Sequence, residues 1–389
     1  MDVRLFPFIQ ADHPFAPQVE RFRAAVQAGP LERLADAEGT TVHAEIKAVP
    51  GPDGGWALDR FYWSLQGRDP AARFGFAALT LLYSASTGQL EWHAFPEDPY
   101  LPTLAAALGE GDSVLRYVPL RRVTLRTADA IGKVKRRSKL LEGYQRLTSV
   151  WRGVASSSVS FDVAAPLGLD EARSVFFQTA QPGQNLAHLL NETNAAALLQ
   201  RVGAMHRELH ELHIRDLPTQ DTTGLLDEVQ RDVRWIAFCQ PDCAALVEAT
   251  WDLLRRHAPR VDPDAYTVCH GDFVCSQVLV AAERWSVTDF DLAHQGDPYR
   301  DIAILLTSLT YDVPVFETGQ APIEAADEAY LAGYEARAGQ PLDRARLAWH
   351  RLAAEIYYLA LMLKKDWYQP TAFSRALERF GALGSQLRD

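Results

Sequence analysis

Apolar and polar positions alternate along Trp56–Leu65, where Trp56, Leu58, Phe61, Trp63 and Leu65 share one face with a single slip. That period of two predicts a half-buried antiparallel strand. Thr41–Val49, Phe74–Tyr83 and Gln89–Phe95 are strand-like runs of the same kind, and Pro50-Gly51-Pro52-Asp53-Gly54-Gly55 signals a hairpin or loop between the first two. A helix-like stretch from Pro17 to Ala37, interrupted at Gly29-Pro30, precedes them. Residues 1–105 therefore predict an N-terminal cap of helix plus antiparallel strands. The glycines at 51–55 are not expected to cradle phosphate, because they lack the G-x-G-x-x-G spacing and no helix follows.

Residues 106–185 predict a small β-rich lobe. Val114–Tyr117 and Arg122–Arg126 are strands around the break at Pro119, and Ile131–Lys135 is a third. Leu140, Leu141, Tyr144, Leu147 and Val150 recur at helical spacing, predicting a helix over Lys139–Trp151. Arg173–Thr179 is a further strand, and Ala180–Leu186 a Pro-Gly loop leading into a helix. Residues 186–389 are mostly helical, with helices expected over 194–213, 321–338 and Leu342–Lys365, the last two closing the chain. His206, His210 and His213 share one helix face, but H-x-E-x-H is not the H-E-x-x-H of a zinc hydrolase, so packing is expected of them.

Composition adds exclusions. A length of 389 residues predicts two or three lobes. The net charge of −11 disfavours a nucleic-acid partner, which needs clustered Lys and Arg. The one basic run, Lys133–Lys139, reads as a solvated strand edge. No apolar run reaches the roughly 18 residues of a membrane span. The N-terminal MDVRLFPFIQADHP has no basic stretch followed by an apolar one, so no secretory signal is expected. Cysteines at 239, 243, 269 and 275 lack the paired C-x2-C of a zinc ribbon and are expected to be reduced. The chain reads as cytoplasmic.

The chemistry concentrates in His270-Gly271-Asp272-Phe273-Val274-Cys275-Ser276-Gln277, followed by Asp289-Phe290-Asp291 and by Gly296-Asp297-Pro298-Tyr299-Arg300-Asp301-Ile302-Ala303. One acid, an amide five residues on and an acidic pair twelve residues further supply what phosphoryl transfer needs. An acid orients or deprotonates a hydroxyl, and oxygen ligands hold Mg²⁺. These motifs resemble those of the aminoglycoside phosphotransferase and choline kinase family. That resemblance implies an α+β, two-lobed protein-kinase-like fold, with 106–185 as the nucleotide-binding N-lobe and 186–389 as a helical C-lobe carrying the catalytic loop and acceptor pocket. The chain departs from the family at Gln277, where Asn is usual; Gln also presents a carbonyl oxygen, displaced by about one C–C bond. Relatives acting on maltose or glucosamine are similar in carrying Gln there.

Carried over residue by residue, the resemblance implies Asp272 as the catalytic acid that takes the acceptor proton, with Gln277 and Asp289 as metal ligands. His270 and Asp301 would brace the loop, and Asp291 would help a metal or brace. Lys133, or Lys135 on the same face, would contact the phosphates of ATP or GTP, and Glu142, the lone acid between 130 and 161, would be the default partner of that lysine. Backbone groups of Gln178, Thr179 and Ala180 would bind the purine. The implied activity is transfer of a γ-phosphoryl group to a hydroxyl of a sugar, aminoglycoside or amino alcohol, Mg²⁺ being the metal. Asp312, Glu355, Tyr358 and Trp367 would face that acceptor. A pseudokinase, or a regulatory nucleotide-binding protein of the same fold, is the competing reading.

Overall fold

The structure, a computed structural model, describes residues 5–34, 37–51, 55–282, 284–365 and 369–387. Trp367 lies outside them. The chain opens with α1 (Ala16–Gln27), started by Pro17 in its first turn and ended before Gly29-Pro30. A four-stranded antiparallel meander follows, β1 (Glu38–Pro50), β2 (Trp56–Arg68), β3 (Phe76–Ser84) and β4 (Gln89–Ala94), in the order β1-β2-β3-β4. The expected cap strands are all present. The alternation in β2 does not make it half-buried, however: residues 61–67 are buried on both faces. Phe61, Trp63 and Leu65 enter the main core of the cap. On the other face Thr80 Oγ1 donates to Ser64 Oγ at 2.9 Å, and Gln66 Nε2 donates to it at 3.2 Å. Those side chains read as exposed in sequence because their partners are each other.

A short helix α2 (Leu104–Ala107) leads into the second sheet, made of β5 (Ser113–Val118), β6 (Arg122–Arg126), β7 (Ala130–Lys135), β9 (Pro166–Asp170) and β10 (Val175–Thr179) in the order β5-β6-β7-β10-β9. Helix α3 (Arg137–Ala155) crosses from it to β8 (Phe161–Val163), which pairs in parallel with a strand of the C-lobe. β8 and β9 are too short to leave a sequence pattern.

The C-lobe starts with β11 (Gln184–Asn185), α4 (Leu186–Leu189), α5 (Ala195–His210), α6 (Thr222–Cys239) and α7 (Ala244–Arg256). Four short strands carry the sequence motifs: β12 (Thr267–Cys269), β13 (Val278–Val280), β14 (Trp285–Val287) and β15 (His294–Gly296). Helices α8 (Pro298–Asp312), α9 (Pro314–Glu317), α10 (Ile323–Ala338), α11 (Arg344–Lys364) and α12 (Pro370–Gln386) complete it, so three long helices rather than two close the chain. Side-chain caps mark several starts: Asp221, Asp297 and Asp343 accept from Gly224, Tyr299 and Arg346 N–H at 2.8–3.0 Å. All four cysteines are free thiols.

Among the described residues, three large apolar cores and one small cluster around Leu120 divide the molecule. One spans the cap and the C-lobe, joining Val19, Phe22, Phe61 and Trp63 to Trp235, Ile236, Trp349 and Phe380. Trp56 and Trp235 meet edge-on with ring centroids 5.4 Å apart. A second surrounds the motif strands, α5, α8 and α10. The third joins cap and linker residues Phe74, Ala78, Leu101 and Leu104 to Tyr117, Val123, Leu125 and Val134 of the N-lobe sheet. The cap thus shares a core with each lobe.

Helices α5 and α10 cross through paired glycines. A Cβ on Gly203 would lie 2.0 Å from the Tyr330 carbonyl oxygen, and one on Gly333 1.9 Å from that of Gln200. Gly333→Ala would gain about 1 kcal/mol of helix propensity. The backbone clash outweighs this, so a net loss of about 2–3 kcal/mol is expected in urea unfolding, typical of an overpacked helix contact.

Candidate active site

β12 pairs with β15 (Cys269↔His294) and β13 with β14 (Val278↔Val287). These ladders bring the loop after β12, which holds Asp272, beside the loop after β14, which holds Asp289. His270 ties them together: its Nε2 donates to the Thr288 carbonyl at 2.8 Å, while Asp272 N–H donates to its Nδ1 at 3.3 Å. Both bonds require the neutral Nε2–H tautomer.

Asp301, in the first turn of α8, braces the same loop from below. Its Oδ2 accepts from His270 N–H at 2.5 Å and its Oδ1 from Gly271 N–H at 2.9 Å. The carboxylate is fully buried. Burial alone would raise its pKa, but His206 and His210 on α5 outweigh that and hold it well below the usual carboxylate range. Their Nε2 atoms each lie 3.6 Å from Asp301 Oδ2. Their Nδ1 atoms lie 2.6 and 2.7 Å from the hydroxyls of Tyr330 and Tyr334 on α10. The three ligand-type side chains sit within 4.8 Å of one another, yet both Asp301 oxygens already accept loop amides. His206 and His210 pack, as the sequence suggests, but His213 lies past the end of α5 and is exposed, because the helix stops at His210.

Asp289 adopts a left-handed backbone (φ 67°, ψ 48°), which Asp tolerates better than most side chains. It accepts from Lys133 Nζ at 2.8 Å and Arg122 Nη1 at 3.0 Å. Asp291 pairs with Lys135 and lies 3.4 Å from Arg122 and 3.7 Å from Lys133. Burial would push the Asp289 carboxyl up; Lys133 and Arg122 override it and hold the group well below its ordinary value. Burial dominates at Asp272 instead and raises it, with the Asp289 charge adding to the rise and Arg122 opposing it. The two acids are thereby driven apart, Asp272 toward proton acceptance and Asp289 toward a permanent charge.

The reading of Lys133–Lys139 as a solvated edge fails at Lys133 and Lys135, which are only 8% and 7% exposed and point into the cleft. Strand alternation explains why: Tyr117, Val123, Leu125 and Val134 face the core behind the sheet, so Arg116, Arg122, Lys133 and Lys135 face the acids. Arg116 and Arg122 escaped the sequence reading, although the same period of two could have found them.

Glu142 is not brought to Lys133. It pairs with Lys139 at 2.9 Å and with Arg146 one turn along. The α3 residue facing the cleft is Gly143, where a Cβ would come 2.9 Å from Lys135 Nζ and 3.4 Å from Asp291 Oδ1. The missing side chain leaves room for the Lys135–Asp291 pair, so the lysines find their carboxylates on the C-lobe. At the end of β10, Gln178 is buried, and Thr179 N–H is committed to the Ala165 carbonyl at 2.9 Å. Ala180 follows directly, where the chain crosses to the C-lobe. Gln277 ends the turn Cys275–Gln277, and its Oε1 accepts from Thr288 Oγ1 at 3.2 Å.

A cavity of about 310 Å³ opens on Gly271 and Asp272 between α6, α8 and α11. A second, of about 450 Å³, lies between α8, α11 and α12 and includes Asp312 and Tyr358. Glu355 is buried against Arg379 and Tyr311.

A family model described as the phosphotransferase enzyme family (APH) matches residues 110–350, more than half of the chain. The chain belongs to this family. It is a small-molecule phosphotransferase, and its cap precedes the matched region. An aminoglycoside 3'-phosphotransferase from Streptomyces ribosidificus is 24% identical over 212 residues, covering 52% of this chain and 77% of that protein. The structure of a candidate aminoglycoside phosphotransferase from Ralstonia eutropha superposes with a TM-score of 0.50 at 16% identity, over 72% of this phosphotransferase and 92% of that chain. A choline kinase from Streptococcus pneumoniae gives a TM-score of 0.49 at 13% identity, over 70% and 92%. The two-lobed kinase-like fold expected from sequence is the one observed.

Asp301→Ala would leave two buried loop amides unpaired, each worth about 1–3 kcal/mol. A stability loss of about 3–5 kcal/mol is expected in chemical denaturation, together with loss of activity in the folded fraction.

Proposed function

We propose that this phosphotransferase moves the γ-phosphoryl group of ATP to a hydroxyl of a neutral sugar-like acceptor, with Asp272 as the base. Asp272 accepts the hydroxyl proton as the acceptor oxygen forms its bond to γ-phosphorus, and the bond from γ-phosphorus to the bridging oxygen breaks with its electron pair leaving on ADP. The observation that carries this reading is the placement of Asp272 beside Asp289, whose loops His270 ties together while Lys133 reaches Asp289 from the opposite lobe; the raised Asp272 and depressed Asp289 agree with it. Gln277 Oε1 and the Asp289 carboxylate are hard oxygen donors that fit Mg²⁺, and the Thr288 hydroxyl, next to Asp289 in the chain, already orients the Gln277 oxygen. Bound there, Mg²⁺ would offset phosphate charge. Lys133 suits the phosphates, and the backbone at Gln178–Ala180 suits the purine, with Thr179 N–H already engaged. Lys135 is the supporting cation, held by Asp291.

The acceptor class rests on charge. The cavity beside Asp272 is lined by three acids, Glu228, Asp232 and Asp272, against three bases, Arg231, Arg300 and Lys364. Glu228 is paired with Arg300 at 2.8 Å and Asp232 with Lys364 at 2.5 Å. A polycationic aminoglycoside or a quaternary amine needs uncompensated carboxylates, and the pairing leaves few. Paired charges with fixed donors and acceptors suit hydroxyls, and the partly exposed Tyr357 ring offers a face for a pyranose. The volume lies at the small end for ligand pockets, which favours a compact acceptor.

ADP release measured across mono- and disaccharides, aminoglycosides and choline is expected to respond to a sugar. Turnover of aminoglycosides or choline alone would overturn the acceptor class. Asp272→Asn should lower kcat by at least about 10³-fold while MgATP binding stays within a few fold. Because Asp272 acts deprotonated and its pKa is raised, kcat/KM should fall as pH drops through a value above the ordinary carboxylate range near 4. An acid limb at or below that range would remove Asp272 from the role.

A further inference from the structure

The hairpin joining β5 to β6 lies over the cleft where protein kinases of this fold place a glycine-rich loop over the phosphates. Here its tip reads Val118-Pro119-Leu120-Arg121-Arg122 and contains no glycine. Leu120 stands in the left-handed region (φ 62°), which costs a leucine about 1–2 kcal/mol. It is held there from three sides. Its N–H donates to Asp98 Oδ2 at 2.8 Å, and its carbonyl accepts from Arg136 Nε at 2.6 Å. Its side chain, 1% exposed, inserts between Tyr62, Leu82 and Tyr100. Asp98 is itself buried and also accepts from Tyr117 Oη at 2.8 Å and from Tyr100 N–H at 2.8 Å. Arg121, at the tip, reaches Glu45 on β1 at 3.4 Å. Cap and linker residues therefore grip this turn through backbone, side chain and charge. A flexible flap has become a fixed one.

What the fixed hairpin presents is Arg122, two residues past the clamp. Its Nη1 lies 3.0 Å from Asp289 and 3.4 Å from Asp291, the acids that follow β14. Arg116, on β5 and the same sheet face, lies within electrostatic reach of Asp272 and Asp289. Counting the cleft, Arg116, Arg122, Lys133 and Lys135 give four positive charges against three from Asp272, Asp289 and Asp291. A divalent cation on Asp289 would compete with Arg122 for that carboxylate and leave guanidinium N–H groups for a second anion. The remaining anion of matching geometry in a kinase cleft is the polyphosphate, whose oxygens a guanidinium binds in a forked manner.

We propose that Arg122 is a phosphate-binding catalytic residue that contacts the transferred γ-phosphoryl group, and that the cap positions it by clamping Leu120. This rests on the phosphotransferase reading of the cleft. Arg122 donates hydrogen bonds to the equatorial oxygens in the transition state and gives up no proton. It does in cis, from a rigid hairpin, what an inserted arginine finger does for a nucleotide hydrolase.

The test compares full-length wild type and Arg122→Ala by calorimetric titration with MgADP and with a non-hydrolysable MgATP analogue, alongside kcat. Arg122→Ala is expected to weaken the triphosphate at least about tenfold, to change the diphosphate less than about threefold, and to lower kcat by about 10²-fold or more. Arg122→Lys should recover part of kcat by restoring charge without the fork. Equal loss for both nucleotides, or an unchanged kcat, would overturn the proposal, since an arginine that only neutralises Asp289 and Asp291 has no reason to distinguish them. Should the Ala variant not fold, Arg122→Gln keeps the stem, drops the charge and carries the same comparison. A wild type that binds neither nucleotide would instead count against the kinase reading of the cleft, a result separate from an Arg122→Ala variant that keeps wild-type selectivity.

Discussion

The acids of the motif loops are buried against cations that come from the opposite lobe. Asp289 and Asp291 would be untenable in this cleft as lone charges, because the desolvation of an unpaired carboxylate costs several kcal/mol. Lys133, Lys135 and Arg122 make them tenable. That requirement sets the face of the N-lobe sheet that points inward, the approach of α3 at Gly143 and the reach of β6 across the cleft. Removing any one partner would leave a buried charge uncompensated, so these residues are coupled rather than additive. It also defines what nucleotide binding must do. Any ligand entering the cleft must exchange with ion pairs that the protein itself already makes there.

Beneath that balance lies a polar column that aims Asp272. The chain of contacts runs from the hydroxyls of Tyr330 and Tyr334 through His206 and His210 to Asp301, and from there to the amides of His270 and Gly271. The tyrosine–histidine and Asp301–amide steps are hydrogen bonds, whereas the two histidine Nε2 atoms lie 3.6 Å from Asp301 and act on it through electrostatics. The glycine crossing of α5 and α10 lets the two helices approach closely enough for the tyrosines to reach the histidines. A backbone contact between helices thus controls the orientation of a loop on their far side. Asp297, four residues before Asp301, caps α8 and accepts from Arg346 and His350 on α11, tying the wall of the cavity beside Asp272 to the same support.

The family motifs were legible in sequence because they are local: His270, Asp272, Gln277, Asp289 and Asp301 fall within a short span at fixed spacing, and the structure brings their loops together. The cap strands were legible through their alternation, and α3, α5, α10 and α11 through helical period. What escaped depends on contacts between distant segments. The family resemblance singled out Lys133 and Lys135, but their carboxylate partners Asp289 and Asp291 lie 156 residues away and left no local signal. Glu142 looks like their partner until the rotation of α3 turns Gly143 to the cleft instead. Ser64, Gln66 and Thr80 look exposed until they satisfy one another. Arg122 was passed over as an ordinary strand residue, since nothing nearby in sequence reveals that β6 crosses to the second acidic motif.

The cap accounts for the fixed, glycine-free turn between β5 and β6. A glycine-rich flap is useful where the lobes open and close and the loop must adapt to each state. Here one apolar core welds the cap to α6, α7, α11 and α12, and another welds it to the back of the N-lobe sheet through Phe76, Phe95 and Tyr117. Separating the lobes would expose one of these cores, each buried apolar side chain contributing about 1.5–3 kcal/mol. The lobes are therefore held near one relative setting, and the hairpin tip need fit only that setting. Under such a constraint a strained leucine locked by Asp98 and Arg136 fixes the turn, and the Arg122 guanidinium is held against Asp289 and Asp291 without the entropic cost of ordering a mobile loop.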